Sequence, residues 1–122
     1  MTIEQCYKNL GGDYAQAERR LMNNNLIHRF VTKFLDDSSF SELCSAMKDG
    51  DRQGAFRAAH TLKGVCANLS FSRLLSSVSE LTELLRAENE TIPNDAAGIF
   101  QQVEQDYELT VNCIRAYLSE AS

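Results

Sequence analysis

Helical periodicity along most of the sequence is the feature that most limits how this chain can fold. A single proline, Pro93, occurs in 122 residues, and no long stretch alternates polar and apolar residues as a half-buried strand would. Apolar residues recur instead at steps of three and four, as in the run from Leu26 to Leu35. The pattern therefore predicts an all-α fold.

Glycine, asparagine and capping residues divide this pattern into separate helices. Ser39 and Glu42 form a capping-box pattern at the start of the fourth helix, and Ser70 is expected to cap the sixth. Because the connections are short, the sequence predicts an antiparallel up-and-down four-helix bundle with additional short N-terminal helices. The predicted helices span residues 3–9, 13–22, 26–35, 39–49, 51–69, 71–89 and 93–119.

The length and charge of the chain limit the kinds of protein that it can be. Residues 1–122 are enough for one domain with a single core. The formal net charge of −5 argues against a nucleic-acid partner, because phosphate backbones select a positive protein face. No apolar run approaches the ~20 residues that span a bilayer, and the first residues do not resemble a secretory signal. We therefore expect a monomeric, cytoplasmic domain that binds neither nucleic acid nor membrane.

The cysteines are scattered along the sequence without close pairs, and three of them lie among apolar residues in helical patterns. Free cysteine behaves as a small apolar residue, and disulfides are rare in the cytosol. We expect all of them to be reduced and mostly buried: Cys6, Cys44, Cys66 and Cys113.

The stretch 58–69, AAHTLKGVCANL, places a histidine, a lysine and a glycine in an otherwise apolar helix. At about 100° per residue, His60 falls opposite the apolar side, with Lys63 and Gly64 one turn away. A glycine here costs the helix roughly 1 kcal/mol relative to alanine, but it leaves bare backbone beside the imidazole. Ala67 continues this low surface. The periodicity therefore predicts a histidine that is displayed to solvent.

The residues around His60 also allow other interpretations. A single histidine on a helix surface is usually a solvent-exposed residue without a specific function. A single glycine within a helix often marks a place where two helices pack closely. A metal site is disfavoured because no His, Asp or Glu lies three or four residues from His60, and no HExxH pattern occurs. A hydrolytic triad lacks an adjacent carboxylate. The second histidine, His28, has no motif around it and is interpreted as exposed or interfacial.

The run from His60 to Gly64, followed by Ala67-Asn68-Leu69, closely resembles the signature of histidine-containing phosphotransfer (HPt) domains. That signature is H-x-L-K-G followed by a small residue and then Leu-Gly. The resemblance extends from about Leu10 onward and includes the break at residues 50–51. Ser70 departs from the family pattern, because glycine usually ends the motif helix there with a positive φ. Serine is expected to cap the following helix instead.

This resemblance implies a function. His60 would accept a phosphoryl group through Nε2 from a receiver-domain phosphoaspartate and pass it to another receiver. Lys63 would stabilise the phosphoryl oxygens, Gly64 and Ala67 would leave clearance for docking, and Thr82 would orient the imidazole through Nδ1–H. The chain would be a phosphoryl carrier without kinase machinery, metal or cofactor of its own, since the Mg²⁺ belongs to the receiver.

The resemblance also implies partners: the receiver domains of response regulators or hybrid sensor kinases, in two-component signalling of a bacterium. Arg57 and Phe56 are candidate receiver contacts. Phe56 lies about 40° from His60 on the helical wheel, so it either joins the docking surface or folds under the fourth helix. A helical adaptor without phosphotransfer is the alternative function. A metal- or ligand-binding bundle is the third, and the sequence offers no set of converging polar ligands for it.

Two apolar stripes are predicted to face the core because of their helical spacing. One lies in the third helix and the other in the sixth. Acidic residues beside the second stripe, Glu80 and Glu83, are interpreted as part of a solvated face. The two stripes consist of Leu26, Phe30 and Phe34, and of Val78, Leu81 and Leu85.

Overall fold

The computed structural model describes residues 1–121, and these form seven helices without any strand. The predicted all-α class is thereby confirmed. No helix in this part of the chain is both long and apolar enough to cross a membrane. The helices are α1 (Ile3–Leu10), α2 (Tyr14–Leu21), α3 (Asn24–Phe34), α4 (Ser39–Asp49), α5 (Arg52–Leu69), α6 (Ser72–Leu84) and α7 (Ala96–Ala121).

Local chemistry sets the start of α5, the helix that carries His60. Gly50 ends α4 in the left-handed conformation, with φ of 70°, which glycine adopts without steric cost. Asp51 then caps α5, because its Oδ1 accepts a hydrogen bond from the backbone N–H of Gly54 at 2.9 Å. The predicted bounds of the motif helix are therefore correct to within one residue.

Two predicted caps are wrong. Ser38, not Ser39, is the N-cap residue of α4, and it makes no side-chain capping bond. The backbone N–H of Ser39 donates instead to Oδ1 of Asp37 at 2.9 Å. Ser70 ends α5 and does not cap α6: it adopts the left-handed conformation itself, with φ of 57°. It thus takes the backbone conformation that the family's glycine would take.

Helix α6 ends at Leu84, five residues before the predicted end. Side chains from outside this helix bind the carbonyl groups at its C-terminal end and replace the missing helical bonds. Asn89 Nδ2 donates to the carbonyl oxygen of Leu84 at 2.9 Å, and Arg52 Nη1 donates to that of Leu85 at 2.7 Å. Pro93 lies just before α7 and not inside its first turn.

Helix α5 packs between α4 and α6, while α7 packs against α6 and α1. Helix α3 contacts α2 and α5. The stripe of Val78, Leu81 and Leu85 is fully buried, as predicted. The predicted core-facing stripe of α3 is wrong in register. The buried residues of this helix are Ile27, Val31 and Phe34. Leu26 is only half-buried and Phe30 is 38% exposed.

The N-terminal helices α1 and α2 are fixed to the end of α5. The backbone N–H of Asp13, in the turn between them, donates to the carbonyl oxygen of Ser70 at 2.8 Å. The buried hydroxyl of Tyr7 donates to the carbonyl oxygen of Leu69, also at 2.8 Å. These bonds hold α2 beside α3 and the C-terminal part of α5.

The cysteines are free thiols, of which Cys6 and Cys66 are buried and Cys44 and Cys113 are half-buried. Burial raises the pKa of both buried thiols to about 12, so thiolate is scarce there at neutral pH. We expect iodoacetamide to modify Cys44 and Cys113 in the native chain, and the buried pair only after unfolding. Mass spectrometry of tryptic peptides measures this difference, and equal native rates at all four thiols would contradict it.

Candidate functional site

His60 lies in the middle of α5 with its side chain exposed, whereas Ala59 and Leu62 beside it are fully buried. The predicted display of the histidine is therefore present in the structure. Among residues 1–121, no hydrogen bond or ion pair involves its imidazole. Both ring nitrogens are accordingly available to a partner.

Phe56 covers one face of this imidazole. The two rings stack with centroids 5.9 Å apart and an interplanar angle of 17°. Phe56 is half-buried, and its inner side packs against the hydrophobic core. Phe56 therefore gives the imidazole an apolar neighbour on one side without adding charge. The role of Phe56 as a receiver contact stays a prediction.

The surface beside His60 is low because of Gly64. This residue is exposed, and a Cβ atom built on it would meet nothing within 4 Å. Gly64 is therefore not a packing glycine. Ala67 is half-buried, and its carbonyl oxygen accepts a hydrogen bond from Nη1 of Arg20 at 2.8 Å. This arginine reaches the site from α2, and no sequence pattern indicated that it would.

Lys63 is half-buried and lies near a carboxylate of α6. The pKa of Glu83 is below its ordinary value because Arg86 hydrogen-bonds it, and also because Arg86 and Lys63 are nearby cations. Arg86 contacts Glu83 through Nε at 2.5 Å and Nη2 at 2.8 Å. The candidate site therefore includes a carboxylate and a second cation that sequence reasoning did not assign to it. A Glu–Arg pair at i,i+3 was the available signal.

Arg57 and Thr82 occupy different environments. Arg57 is exposed one turn before His60 and lines a groove between α4 and α5. Thr82 is 1% exposed, and its hydroxyl donates to the carbonyl oxygen of Val78 at 2.7 Å, a common bond for helical threonine. No hydrogen bond joins it to His60 within the described chain, so its orienting role stays a prediction.

The other histidine is engaged elsewhere. His28 is exposed, and its Nδ1 lies 2.8 Å from the hydroxyl oxygen of Tyr117 on α7. It therefore bridges two helices, in agreement with the interfacial position expected for it. No group of three or more His, Cys, Asp or Glu side chains in residues 1–121 is arranged to hold a metal ion.

Fold and site together define a helical domain that displays one histidine beside a lysine and a bare stretch of helix. The family model of the Hpt domain matches residues 29–120, and the chain belongs to this family. No curated protein and no solved structure matches the chain significantly. The matched region begins inside α3, so α1 and α2 lie outside it.

Membership of this family gives the chain a general role. Hpt domains carry phosphoryl groups on histidine in two-component phosphorelays, and they interact with receiver domains. They are carriers of the phosphoryl group rather than catalysts. The resemblance that the sequence showed around His60 is thus confirmed at the level of the family.

Proposed function

We propose that this chain is a phosphorelay carrier and that His60 is the residue that holds the phosphoryl group. The observation that carries the proposal is the exposed imidazole without a hydrogen-bond partner in residues 1–121, next to the open space at Gly64. A carrier must meet two different active sites in turn, which requires a nucleophile on a convex, accessible surface. His60 satisfies this requirement, whereas His28 is tied to Tyr117.

In the proposed step, Nε2 of the neutral imidazole attacks the phosphorus atom of a receiver phosphoaspartate. The bond between phosphorus and nitrogen forms as the bond between phosphorus and the aspartyl oxygen breaks, and the aspartate leaves as a carboxylate. The proton on Nδ1 stays on the ring. A second receiver reverses the step with its own carboxylate, so the chain is regenerated unchanged.

Lys63 supplies positive charge to this step. A unit charge pair at ~4 Å is worth about 1 kcal/mol in water and about 4 kcal/mol at the screening of a protein surface. This moderate stabilisation suits a carrier that must also release its phosphoryl group. The Mg²⁺ of the transfer is assigned to the receiver, where it neutralises developing charge, and the carrier needs no cofactor of its own.

We also propose how the seven helices of residues 1–121 are arranged. Helices α4 to α7 form the antiparallel four-helix bundle, and α1 to α3 are added at its N-terminal side. Short turns between α4, α5 and α6, and the packing of each on the next, support this arrangement. We further propose that this chain folds as one domain and acts as a monomer in the cytoplasm of a bacterium. Its partners are the receivers of response regulators or hybrid sensor kinases.

The proposed function is tested by phosphate uptake. The chain is incubated with a panel of receiver domains that have been charged with acetyl phosphate. We expect acid-labile, base-stable phosphate on the chain, and mass spectrometry should map it to His60. A chain that binds receivers but takes up no phosphate would be a helical adaptor, and the proposed function would be wrong.

Replacement of Lys63 by alanine should slow transfer from a receiver about five- to a thousandfold, because it removes a charge interaction of about 1–4 kcal/mol. Lys63→Arg should retain part of the rate, since the charge is kept. Rapid-quench measurement of single-turnover transfer gives both values. Lys48→Ala, which removes an exposed lysine on α4, is the control. An unchanged rate in Lys63→Ala would remove this residue from the site and direct attention to Arg57.

A further inference from the structure

A groove of about 440 Å³ lies between α6 and α7. This volume falls within the range of about 300–1,000 Å³ that is common for small-molecule sites. Its lining residues belong to the segments 73–80 and 99–106, and none of them comes from α5. At 1.5 Å per residue, each segment is about 10 Å long. The groove is therefore a feature separate from the surface that displays His60.

Asp106 is a largely buried carboxylate at this groove. It is 6% exposed, and its Oδ1 accepts a hydrogen bond from Nε2 of Gln102 at 3.1 Å. No other hydrogen bond and no ion pair reaches this carboxylate within residues 1–121. In the same residues, no fully buried side-chain oxygen or nitrogen lacks a partner, so Oδ2 of Asp106 must open into the groove. A carboxylate withdrawn from water is costly unless a cation pairs with it, and Oδ2 is free to accept one.

The same groove is lined by the guanidinium of Arg73, which makes no hydrogen bond or ion pair within residues 1–121. The stem of this side chain rests on Gly11, where a Cβ atom would lie 2.8 Å from Nε and 2.9 Å from Cβ of Arg73. The backbone N–H of Arg73 also donates to the carbonyl oxygen of Gly11 at 3.0 Å. A guanidinium binds a carboxylate through two parallel hydrogen bonds. The groove therefore offers a partner for an anionic group as well as one for a cationic group.

The charges of the groove indicate the class of ligand. Arg73 supplies one positive charge, and Asp106 and Glu80 supply two negative charges. No ion pair joins any of these side chains within residues 1–121. A small molecule with one carboxylate and two cationic groups would satisfy all of them. A basic α-amino acid has this set of groups, and its aliphatic stem matches the apolar side chain of Ile99 in the lining.

We propose that the groove between α6 and α7 binds a free basic α-amino acid, arginine or lysine, an inference that is independent of the proposed function. The α-ammonium group donates to Oδ2 of Asp106, and the α-carboxylate accepts from the guanidinium of Arg73. The cationic end of the ligand side chain pairs with Glu80, which is exposed.

Titration of the isotopically labelled chain with L-arginine, followed by NMR chemical shifts, tests the proposal. We expect saturable shifts at one site, clustered in residues 73–80 and 99–106. Agmatine lacks the carboxylate, and Nα-acetyl-L-arginine lacks the ammonium charge. Each should bind at least about tenfold more weakly, because each loses a hydrogen bond between charged groups. Equal affinities for L-arginine and agmatine would reveal only attraction of cations to an acidic chain and would overturn the proposal. Absence of saturable shifts in these segments would also overturn it.

Two variants test the assigned contacts. Asp106→Asn keeps the shape of the side chain and an acceptor for Gln102, and Arg73→Gln changes an exposed residue. Each should weaken L-arginine binding at least about tenfold. Glu104→Gln and Arg115→Gln remove the same charges at exposed positions of α7 and should keep the parent affinity. The spectrum of each variant reports its fold, and Arg73→Gln decides the matter if Asp106→Asn does not fold. Parent affinity in a folded Asp106→Asn or Arg73→Gln chain would overturn the proposal.

Discussion

Replacement of His60 by glutamine is expected to abolish phosphate uptake and leave the fold intact. Glutamine has a similar reach, but its amide nitrogen is not a nucleophile, so no bond to phosphorus can form. The side chain is exposed and makes no hydrogen bond within residues 1–121. Exposed substitutions of this kind usually change the free energy of unfolding by no more than about 0.5 kcal/mol. Labelling by a charged receiver and thermal melting, on one preparation, measure both quantities.

His28→Gln is the matched control, because it removes the only other histidine of the chain. This variant loses the contact with Tyr117, so its melting temperature should fall slightly while its labelling per folded molecule is retained. A His60→Gln chain that still acquires acid-labile phosphate would show that the assignment is wrong. His28 would then be the candidate, and its own variant would identify it.

The display of His60 could be predicted from sequence because everything that determines it is local. Gly50 and Asp51 set the start of α5, and the periodicity of the following residues decides which side is buried. His60 lies opposite that side, whatever the helix packs against. The same local reasoning found the open surface at Gly64, which the structure confirms as free of neighbours within 4 Å.

The register of α3 could not be predicted in this way. Its apolar residues are numerous enough that two different sets satisfy the same spacing. The stripe through Leu26 and Phe30 is one, and the stripe through Ile27 and Val31 is the other, with Phe34 common to both. Packing against α2 and α5 selects the second set. The exposure of Phe30 is therefore a consequence of tertiary structure.

The parts of the site that come from other helices also could not be predicted from the sequence. Arg20 reaches Ala67 from α2 because the turn between α1 and α2 is bonded to the end of α5. The electrostatic interaction of Lys63 with Glu83 depends on how α6 packs beside α5. Spacing along one helix carries no information about such neighbours. It therefore predicts the centre of the site and not its surroundings.

Substitutions of Gly64 are expected to change stability and phosphoryl transfer in opposite directions. A glycine in a helix interior is destabilising relative to alanine, chiefly because the unfolded chain has more freedom to lose. Since a Cβ atom at this position meets nothing within 4 Å, Gly64→Ala should stabilise the chain by up to roughly 1 kcal/mol. For a chain of this size, that corresponds to a rise of about 3–5 °C in melting temperature. Gly64→Gln should be at least as stable as the parent.

Transfer should respond in the opposite direction. The glutamine side chain would project beside His60, where the receiver's phosphoaspartate must come within ~3–3.5 Å of the imidazole. A misplacement of about 1 Å can cost a hundredfold in rate, so transfer to Gly64→Gln should fall at least that far. Labelling of His60 by phosphoramidate, a small-molecule phosphoryl donor, should fall much less, because this donor needs little space beside the imidazole.

Gly98→Gln is the control for this experiment, since Gly98 is also exposed in a helix with no atom within 4 Å of its Cβ position. It should match the stability of the parent and keep full transfer. A Gly64→Gln chain that unfolds would mean that another helix approaches this position, against the geometry described. A stable chain with full transfer would mean that no partner contacts the surface beside His60. In that case the lack of a side chain at Gly64 would have no role in phosphotransfer.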